Sequence, residues 1–363
     1  MNLLLFNLRM DAGHTALGFT TAWTNALARR SQHVSVITMF KGEIAVEPNV
    51  AVHSVGKERG WSEPRRLLEF YRLVRQVLAK RRIDACFAHM APEFASLFAP
   101  VAKVSRIPVL LWYAHGAVSP RVRLAHRLAD RCVTSTPSGF RIPSDKLFVI
   151  GQGIDTEVFR PPTGRGDSYA NTAISIGRLS RTKRLEEMLS ALALLRNEHG
   201  IDLRLELTGE PLTDADQEYE RQLRREVESL QLSEAVAFCG AVPFREIPSR
   251  YHRGSLFLNL SENRSIDKAI LESMASGCIP ISRNESFRAL ATEHGLETLI
   301  AGPGPEGVAN SLLAVLRLTE SDRAALAKRL RAIVGADHSL GSLADKLIHH
   351  LTELAEAKGR RGE

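Results

Sequence analysis

Two stretches of the chain each end an apolar, strand-like run at a short charged loop and then begin a helix. The first runs Ala173-Ile-Ser-Ile-Gly177-Arg178-Leu-Ser-Arg-Thr-Lys183, and the second runs from Leu256-Phe-Leu-Asn-Leu-Ser261 through Asp267-Lys268-Ala-Ile-Leu-Glu272 to Gly277-Cys-Ile-Pro280. A helix that starts at the end of a strand presents unpaired N–H groups and the positive end of its dipole there. Arg178 and Lys183 beside such a terminus make a pyrophosphate site that needs no metal. Glu272 falls about one turn into the second helix, where a carboxylate accepts hydrogen bonds from the vicinal hydroxyls of a ribose. The pair of stretches points to a bound nucleoside diphosphate.

The elements that position these residues alternate along the whole chain. Strand signals lie near 2 to 8, 33 to 38, 84 to 89, 109 to 114, 131 to 135 and 146 to 150, with helices near 15 to 30 and within 57 to 82. A linker rich in Gly and Pro follows at about Gly151 to Arg165. The alternation then repeats from Ile174 to about Ala301, and helices near 305 to 317, 320 to 334 and 343 to 354 complete it; the tail Lys358 to Glu363 is expected to fray. This pattern predicts parallel, doubly wound sheets, and 363 residues suffice for two such domains. Ligands of open α/β sheets bind at the carboxyl ends of the strands, so two such domains facing each other form a cleft. The first strand-to-helix turn, Met10-Asp-Ala-Gly13-His14-Thr-Ala-Leu-Gly18, has neither Gly-x-Gly-x-x-Gly nor Gly-Lys-Thr, which argues against a dinucleotide or ATP there.

Charge and cysteines bound the function further. No apolar run reaches the roughly 18 residues of a membrane span, and the start of the chain reads as a strand without a cleavable leader, so a cytoplasmic protein is expected. Cys86, Cys132, Cys239 and Cys278 are scattered, each in or beside an apolar run, and read as reduced core residues. The net charge of +7 is concentrated in residues 57–82, where Leu67, Tyr71, Val74 and Leu78 recur at helical spacing. That basic amphipathic helix either docks on the sheet with a solvated basic face or rests on an anionic membrane. A nucleic-acid role is disfavoured, since no basic patch is interleaved with aromatics. Asp214-Ala-Asp216 has the spacing of a metal site but follows Pro211-Leu-Thr213, which reads as a helix cap. His115 and His89 end strand-like runs at the expected ligand side, while His199, His252 and His294 read as surface residues.

The motif order resembles the retaining GT-B glycosyltransferases of the large family 4, glycosyl transferases group 1. Gly177-Arg178-Leu179…Lys183 is similar to the family's Gly-Arg-Leu…Lys, and Leu271-Glu272-Ser-Met-Ala-Ser-Gly277-Cys-Ile-Pro280 to its Leu-Glu-Ala-Met-Ala-x-Gly-x-Pro. Gly151-Gln-Gly-Ile-Asp155…Phe159-Arg-Pro161, Thr208-Gly-Glu-Pro211 and Phe238-Cys-Gly240-Ala-Val242-Pro243 resemble further family loops. The likeness is specific over roughly 130 to 290. One departure stands out: counting eight residues back from Glu272 reaches Arg264, where the family usually carries a first glutamate, and Ser265-Ile-Asp267-Lys268 resembles the Ser-x-Asp-Lys variant that lacks it. The resemblance implies two Rossmann-like domains facing across a cleft. Residues 1–152 would form the acceptor side, joined by a C-terminal helix at about 343–357 that crosses back, and 153–340 would bind the donor. It implies transfer of a hexose from a UDP- or GDP-sugar to a glycan or lipid-linked acceptor with retention, without cofactor or metal. Arg178, Lys183 and His115 would act in catalysis, with Gly13, Gly177, Val242, Glu262, Arg264, Ser265, Asp267, Lys268 and Glu272 around the donor. A non-catalytic glycosyltransferase-like subunit and a GT-B sugar-nucleotide epimerase are the alternatives.

Overall fold

A computed structural model describes residues 1–164 and 169–360; Arg165 of the expected linker and the last three residues of the tail expected to fray lie outside the described residues. The first unit comprises Met1–Asp155, Pro243–Arg245 and Ser339–Glu363, and the second Thr156–Val242 and Glu246–His338. In the first unit the order is β1 (Asn2–Met10), α1 (Phe19–Ala28), β2 (His33–Lys41), β3 (Val50–Ser54), α2 (Glu63–Lys80), β4 (Ala85–His89), α3 (Pro92–Val104), β5 (Val109–Trp112), α4 (Pro120–Leu128), β6 (Arg131–Thr134) and β7 (Leu147–Val149). These strands form one parallel sheet in the order β3-β2-β1-β4-β5-β6-β7.

The central strand shows why the sheet is covered on both faces. Leu3, Leu4, Leu5 and Phe6 are all buried, and successive side chains of a strand point to opposite faces. Leu4 and Phe6 join Phe70, Phe94 and Phe98 from α2 and α3 on one side, whereas Leu3 and Leu5 join Trp23 and Leu27 of α1 on the other. That second face also receives Leu343, Leu347 and Leu351 of the last helix.

Within α2 the expected docking stripe is corrected. Phe70, Leu73, Val74 and Val77 are buried, while Leu67, Leu68 and Tyr71 are exposed, Leu68 to 74%. The aromatic cluster decides this: Phe70 stacks on Phe94 at 5.1 Å and packs on Phe6, which rotates the helix about a residue away from the stripe read from spacing.

The second unit runs β8 (Thr172–Ile176), α5 (Leu185–His199), β9 (Arg204–Thr208), α6 (Asp214–Ser229), β10 (Val236–Gly240), α7 (Ile247–Tyr251), β11 (Leu256–Asn259), α8 (Lys268–Ala275), β12 (Ile279–Ser282), α9 (Glu285–Glu293), α10 (Gly304–Leu316) and α11 (Glu320–Asp337); α12 (Leu340–Arg360) returns to the first unit. Its sheet, again parallel, has the order β10-β9-β8-β11-β12. Pro280 is tolerated because β12 is an edge strand. Gly277, at φ +84, ends α8 in a Schellman turn, with the Cys278 N–H donating to the Ser273 carbonyl and the Gly277 N–H to that of Met274. In both sheets the strand order reverses beside the first strand of the unit, between β1 and β4 and between β8 and β11. Such crossings are where open α/β sheets bind ligands.

Candidate active site

At the crossing of the second sheet, the loop after β8 and the loop after β11 meet through their side chains. Lys183, in the short 3-10 turn Arg181–Lys183, donates from Nζ to Asp267 Oδ2 at 2.8 Å. Asn259, the last residue of β11, donates from Nδ2 to the same oxygen at 2.9 Å. Asp267 is the N-cap of α8, its Oδ1 accepting the Ala269 N–H. Burial pushes the Asp267 carboxyl up, but the Lys183 charge and the hydrogen bonds from Lys183, Asn259 and Ala269 outweigh it and hold the group below the ordinary carboxylate range. Of the three donors on the Lys183 ammonium, the one spent on Asp267 leaves two for an anion.

This is a correction to the picture of an open helix terminus. Asp267 already serves the first turn of α8, and any phosphate must share Lys183 with it. Arg178 is placed differently: it is 45% exposed in the loop after β8, with only a 3.9 Å approach to Asp216. It is the more available cation of the two.

The loop can come this close because of its glycines. Gly177 lies at φ +142 and Gly209 at φ +146, and a Cβ on Gly209 would sit 1.9 Å from the Gly177 carbonyl oxygen. A side chain at Gly209 would have to move backbone, and at Gly177 it would have to adopt a φ that L residues rarely take.

Deeper along α8, Lys268 and Glu272 lie one turn apart and Nζ of Lys268 is shielded from solvent. Burial holds the Lys268 ammonium well below the ordinary lysine range, with Glu272 opposing. Burial pushes the Glu272 carboxyl up to about 7, against the pull of Lys268; the Asp267 charge adds to the rise and the Tyr251 hydrogen bond opposes it. Glu272 is only 7% exposed and accepts from the Tyr251 hydroxyl at 3.3 Å, which also donates to the Ala269 carbonyl. Its surroundings are therefore tighter than a surface helix position suggests.

The remaining residues of the loop before α8 divide in two. Glu262 is exposed and pairs with Arg184 at 3.1 Å; Arg184 also holds Glu187, which Arg283 grips from the other side at 2.7 Å. Arg264 is exposed and Ser265 half-buried, and the carbonyls of 263 to 265 are held by the turn after β12. Val242 is buried. Asn259, Tyr251, Arg184 and Asn284 were not among the residues expected from sequence; a buried Asn closing an apolar strand was the available signal for the first.

The Asp214-Ala-Asp216 spacing belongs to a capping box. Thr213 Oγ1 accepts the Asp216 N–H while Asp216 Oδ2 accepts the Thr213 N–H, both at 3.2 Å.

In the first unit, Gly13 lies in the turn after β1, where the Nδ1 of His14 accepts from the N–H groups of Ala16 and Leu17. His89 is buried against Trp23, 4.6 Å between rings, with Phe19 and Trp112 beside it. β5 stops at Trp112, so His115 is an exposed loop residue, not a strand end; the loop turns at Gly116, φ +72, whose N–H binds the Gly139 carbonyl. A cavity of about 490 Å³ in this unit lies at the opposite, amino end of the strands, lined by Arg81, Arg82, Arg106 and Lys358. Helices α2, α3 and α12 end there, so these cations offset helix carbonyl termini and the cavity is remote from the ligand side.

Residues 163–332 match the family model described as Glycosyl transferases group 1. This stretch is similar to a group 1 glycosyltransferase domain. It contains every charged residue of the cluster just described. The chain is 24% identical over 196 residues to mannosylfructose-phosphate synthase of Agrobacterium fabrum, covering 50% of this chain and 43% of that protein. It is 27% identical over 195 residues to D-inositol 3-phosphate glycosyltransferase of Corynebacterium urealyticum, covering 50% and 46%. The chain thus spans about half the length of the curated relatives it matches. Among solved structures, Anabaena HepE in complex with UDP and glucose superposes with a TM-score of 0.72 at 17% identity, covering 96% of this chain and 99% of that one. Sucrose-phosphate synthase from Thermosynechococcus elongatus gives 0.74 at 16%, covering 98% and 99%. At these identities the likeness is one of fold: two Rossmann-like domains of the GT-B class.

Proposed function

We propose that the group 1 domain binds a UDP- or GDP-hexose and that the protein transfers the hexose to a glycan or lipid-linked acceptor with retention, without a metal. The observation that carries this reading is the cluster at the crossing of β8 and β11. Lys183 is held by Asp267, whose same oxygen Asn259 also donates to, with Arg178 accessible beside it and Glu272 buried behind them. In this reading Arg178 and Lys183 take the charge that develops on the departing diphosphate, the role a divalent cation plays elsewhere. Glu272 accepts from the ribose hydroxyls. Gly177 and Val242 border the nucleotide, while Glu262, Arg264, Ser265, Asp267 and Lys268 border the sugar. Gly13 and His115 are the candidates of the first unit.

Retention without a carboxylate nucleophile is met by front-face attack. The bond from the anomeric carbon to the diphosphate breaks as the acceptor oxygen bonds on the same face, and the acceptor proton passes to the departing phosphate oxygen. HepE has been solved with UDP and with UDP-glucose, which supports a nucleoside diphosphate sugar as donor class. No helix among the described residues is long and apolar enough to cross a membrane. The exposed Leu67, Leu68 and Tyr71 on the arginine-rich α2 support contact with an anionic membrane surface as the way to reach a lipid-linked acceptor.

Thermal unfolding with UDP and GDP tests the donor class, since a ligand of the folded state raises the midpoint. A donor screen reading nucleotide release, repeated with EDTA, tests the rest. Turnover that survives the chelator is expected; loss by EDTA with rescue by manganese or magnesium overturns the metal-free mechanism. No shift with either nucleotide overturns the donor site.

A further inference from the structure

We infer that Asn284, assisted by Ser286, is the positioning residue for the sugar side of the donor site. The inference rests on the proposed function, in which the loop before α8 borders the donor sugar. Asn284 follows β12 and is fully buried. Its Nδ2 donates to the carbonyls of Asn263 at 2.8 Å and Ser265 at 2.9 Å. The Ser286 hydroxyl donates to the carbonyl between them, that of Arg264, at 2.6 Å, and the Glu285 N–H donates to Asn263 again. Three successive carbonyls are thereby drawn to one turn.

The consequence follows from the planar trans peptide. Each carbonyl is antiparallel to the N–H of the next residue, so drawing the oxygens of 263 and 265 toward Asn284 and that of 264 toward Ser286 turns the N–H groups of Arg264, Ser265 and Ile266 away from that turn. A run of backbone N–H groups turned one way is a cradle for an oxygen of high electron density, such as a sugar hydroxyl or a phosphate oxygen. Such N–H groups donate to the lone pairs of a sugar oxygen, and their aim is fixed by the carbonyls held on the other side of the loop.

Asn284 has a second duty that allows the two to be separated. As N-cap of α9 its Oδ1 accepts the Phe287 N–H at 3.0 Å. Asn284→Asp keeps that acceptor and loses both donations to the loop; Ser286→Ala removes one donation and leaves the cap intact.

The test measures UDP or GDP affinity by calorimetry and kcat and KM for the matching nucleotide sugar, on the full chain. Both variants should bind the nucleotide diphosphate within about twofold of wild type, while kcat falls by about tenfold to a hundredfold for Asn284→Asp and less for Ser286→Ala, as expected for misplacement of a reacting group. Unaltered kcat in both variants overturns the inference. So does an equal loss of nucleotide affinity and kcat, which marks general damage. If Asn284→Asp does not fold, Ser286→Ala alone decides by the same criterion. Failure of the wild type to bind any nucleoside diphosphate strikes the donor-site reading instead, and is seen before any variant is made.

Discussion

The crossing between β1 and β4 in the first unit is filled with rings: His89 lies against Trp23, Phe19 and Trp112, within a core that continues into α12. The equivalent crossing between β8 and β11 in the second unit is filled with charge, Lys183 and Asp267 bound through one carboxylate oxygen that Asn259 also holds. The strand order around the two crossings is the same. One closes as an apolar seam and the other keeps ionised groups that a ligand can compete for. Winding alone does not place chemistry; the residues at the strand ends do.

The charged crossing depends most on the close backbone approach behind it, between Gly209 and Gly177. Gly209→Ala forces a Cβ onto the Gly177 carbonyl at a positive φ, and a loss of about 3 kcal/mol in unfolding free energy is expected from crowding plus strain. A chemical denaturation curve matching wild type would mean the loops after β8 and β9 do not need this contact.

Next come the two cations. Lys183→Ala and Arg178→Ala should each weaken binding of a nucleoside diphosphate by roughly 1.5 to 3 kcal/mol, and of the monophosphate by less. The two should differ in stability. Removing Lys183 strands the Asp267 carboxylate, so that variant melts lower, whereas exposed Arg178 can be removed with little change in melting. Equal losses for mono- and diphosphate in calorimetry would take both cations off the diphosphate.

Glu272 sharpens the contrast through pH. Its carboxyl is raised to about 7, so the folded protein holds a proton there that the unfolded chain releases near the ordinary value. Stability from this group is therefore full below about pH 4.5 and is lost as pH rises toward 7. Nucleotide affinity should move the opposite way, strengthening severalfold from pH 6 to 8 as the carboxylate forms, and Glu272→Gln should flatten both trends while costing about 1 to 3 kcal/mol of binding at pH 8. A 2′-deoxy nucleotide should lose far less on that mutation. Strict additivity of the two losses would make Glu272 a structural residue only.

The smallest effect is expected in the first unit. A Cβ on Gly13 would crowd the end of the flexible Glu43 side chain and lie at ordinary contact distance from Asp11 Oδ1, so Gly13→Ala should alter stability by less than about 0.5 kcal/mol. A measurable drop in nucleotide affinity with unchanged melting would bring this turn into the donor site.

Much of this was legible in the chain. The two strand-loop-helix stretches that carry Gly177, Arg178, Lys183, Asp267 and Glu272 were visible as apolar runs ending at charged loops, and the fold brings them to one crossing. The alternation of apolar runs marked both sheets. The edge strand β3 was missed because Val50–Ser54 is short, only half-buried and carries His53. The face of α2 was misread because spacing offers several overlapping stripes, and only the Phe70–Phe94 stack selects among them.

Local periodicity sets the class of fold and the order of the motifs, and the side chains written at the strand ends set the residue types at the second crossing. Tertiary structure alone decided the partners. Lys183 and Asp267 are 84 residues apart, and Asn284 reaches back 21 residues to the loop it grips, contacts that exist only once β8, β11 and β12 lie side by side. Burial decided the rest: the shifts of Lys268 and Glu272 arise from water excluded around α8, a property of the packed helix that no single residue carries.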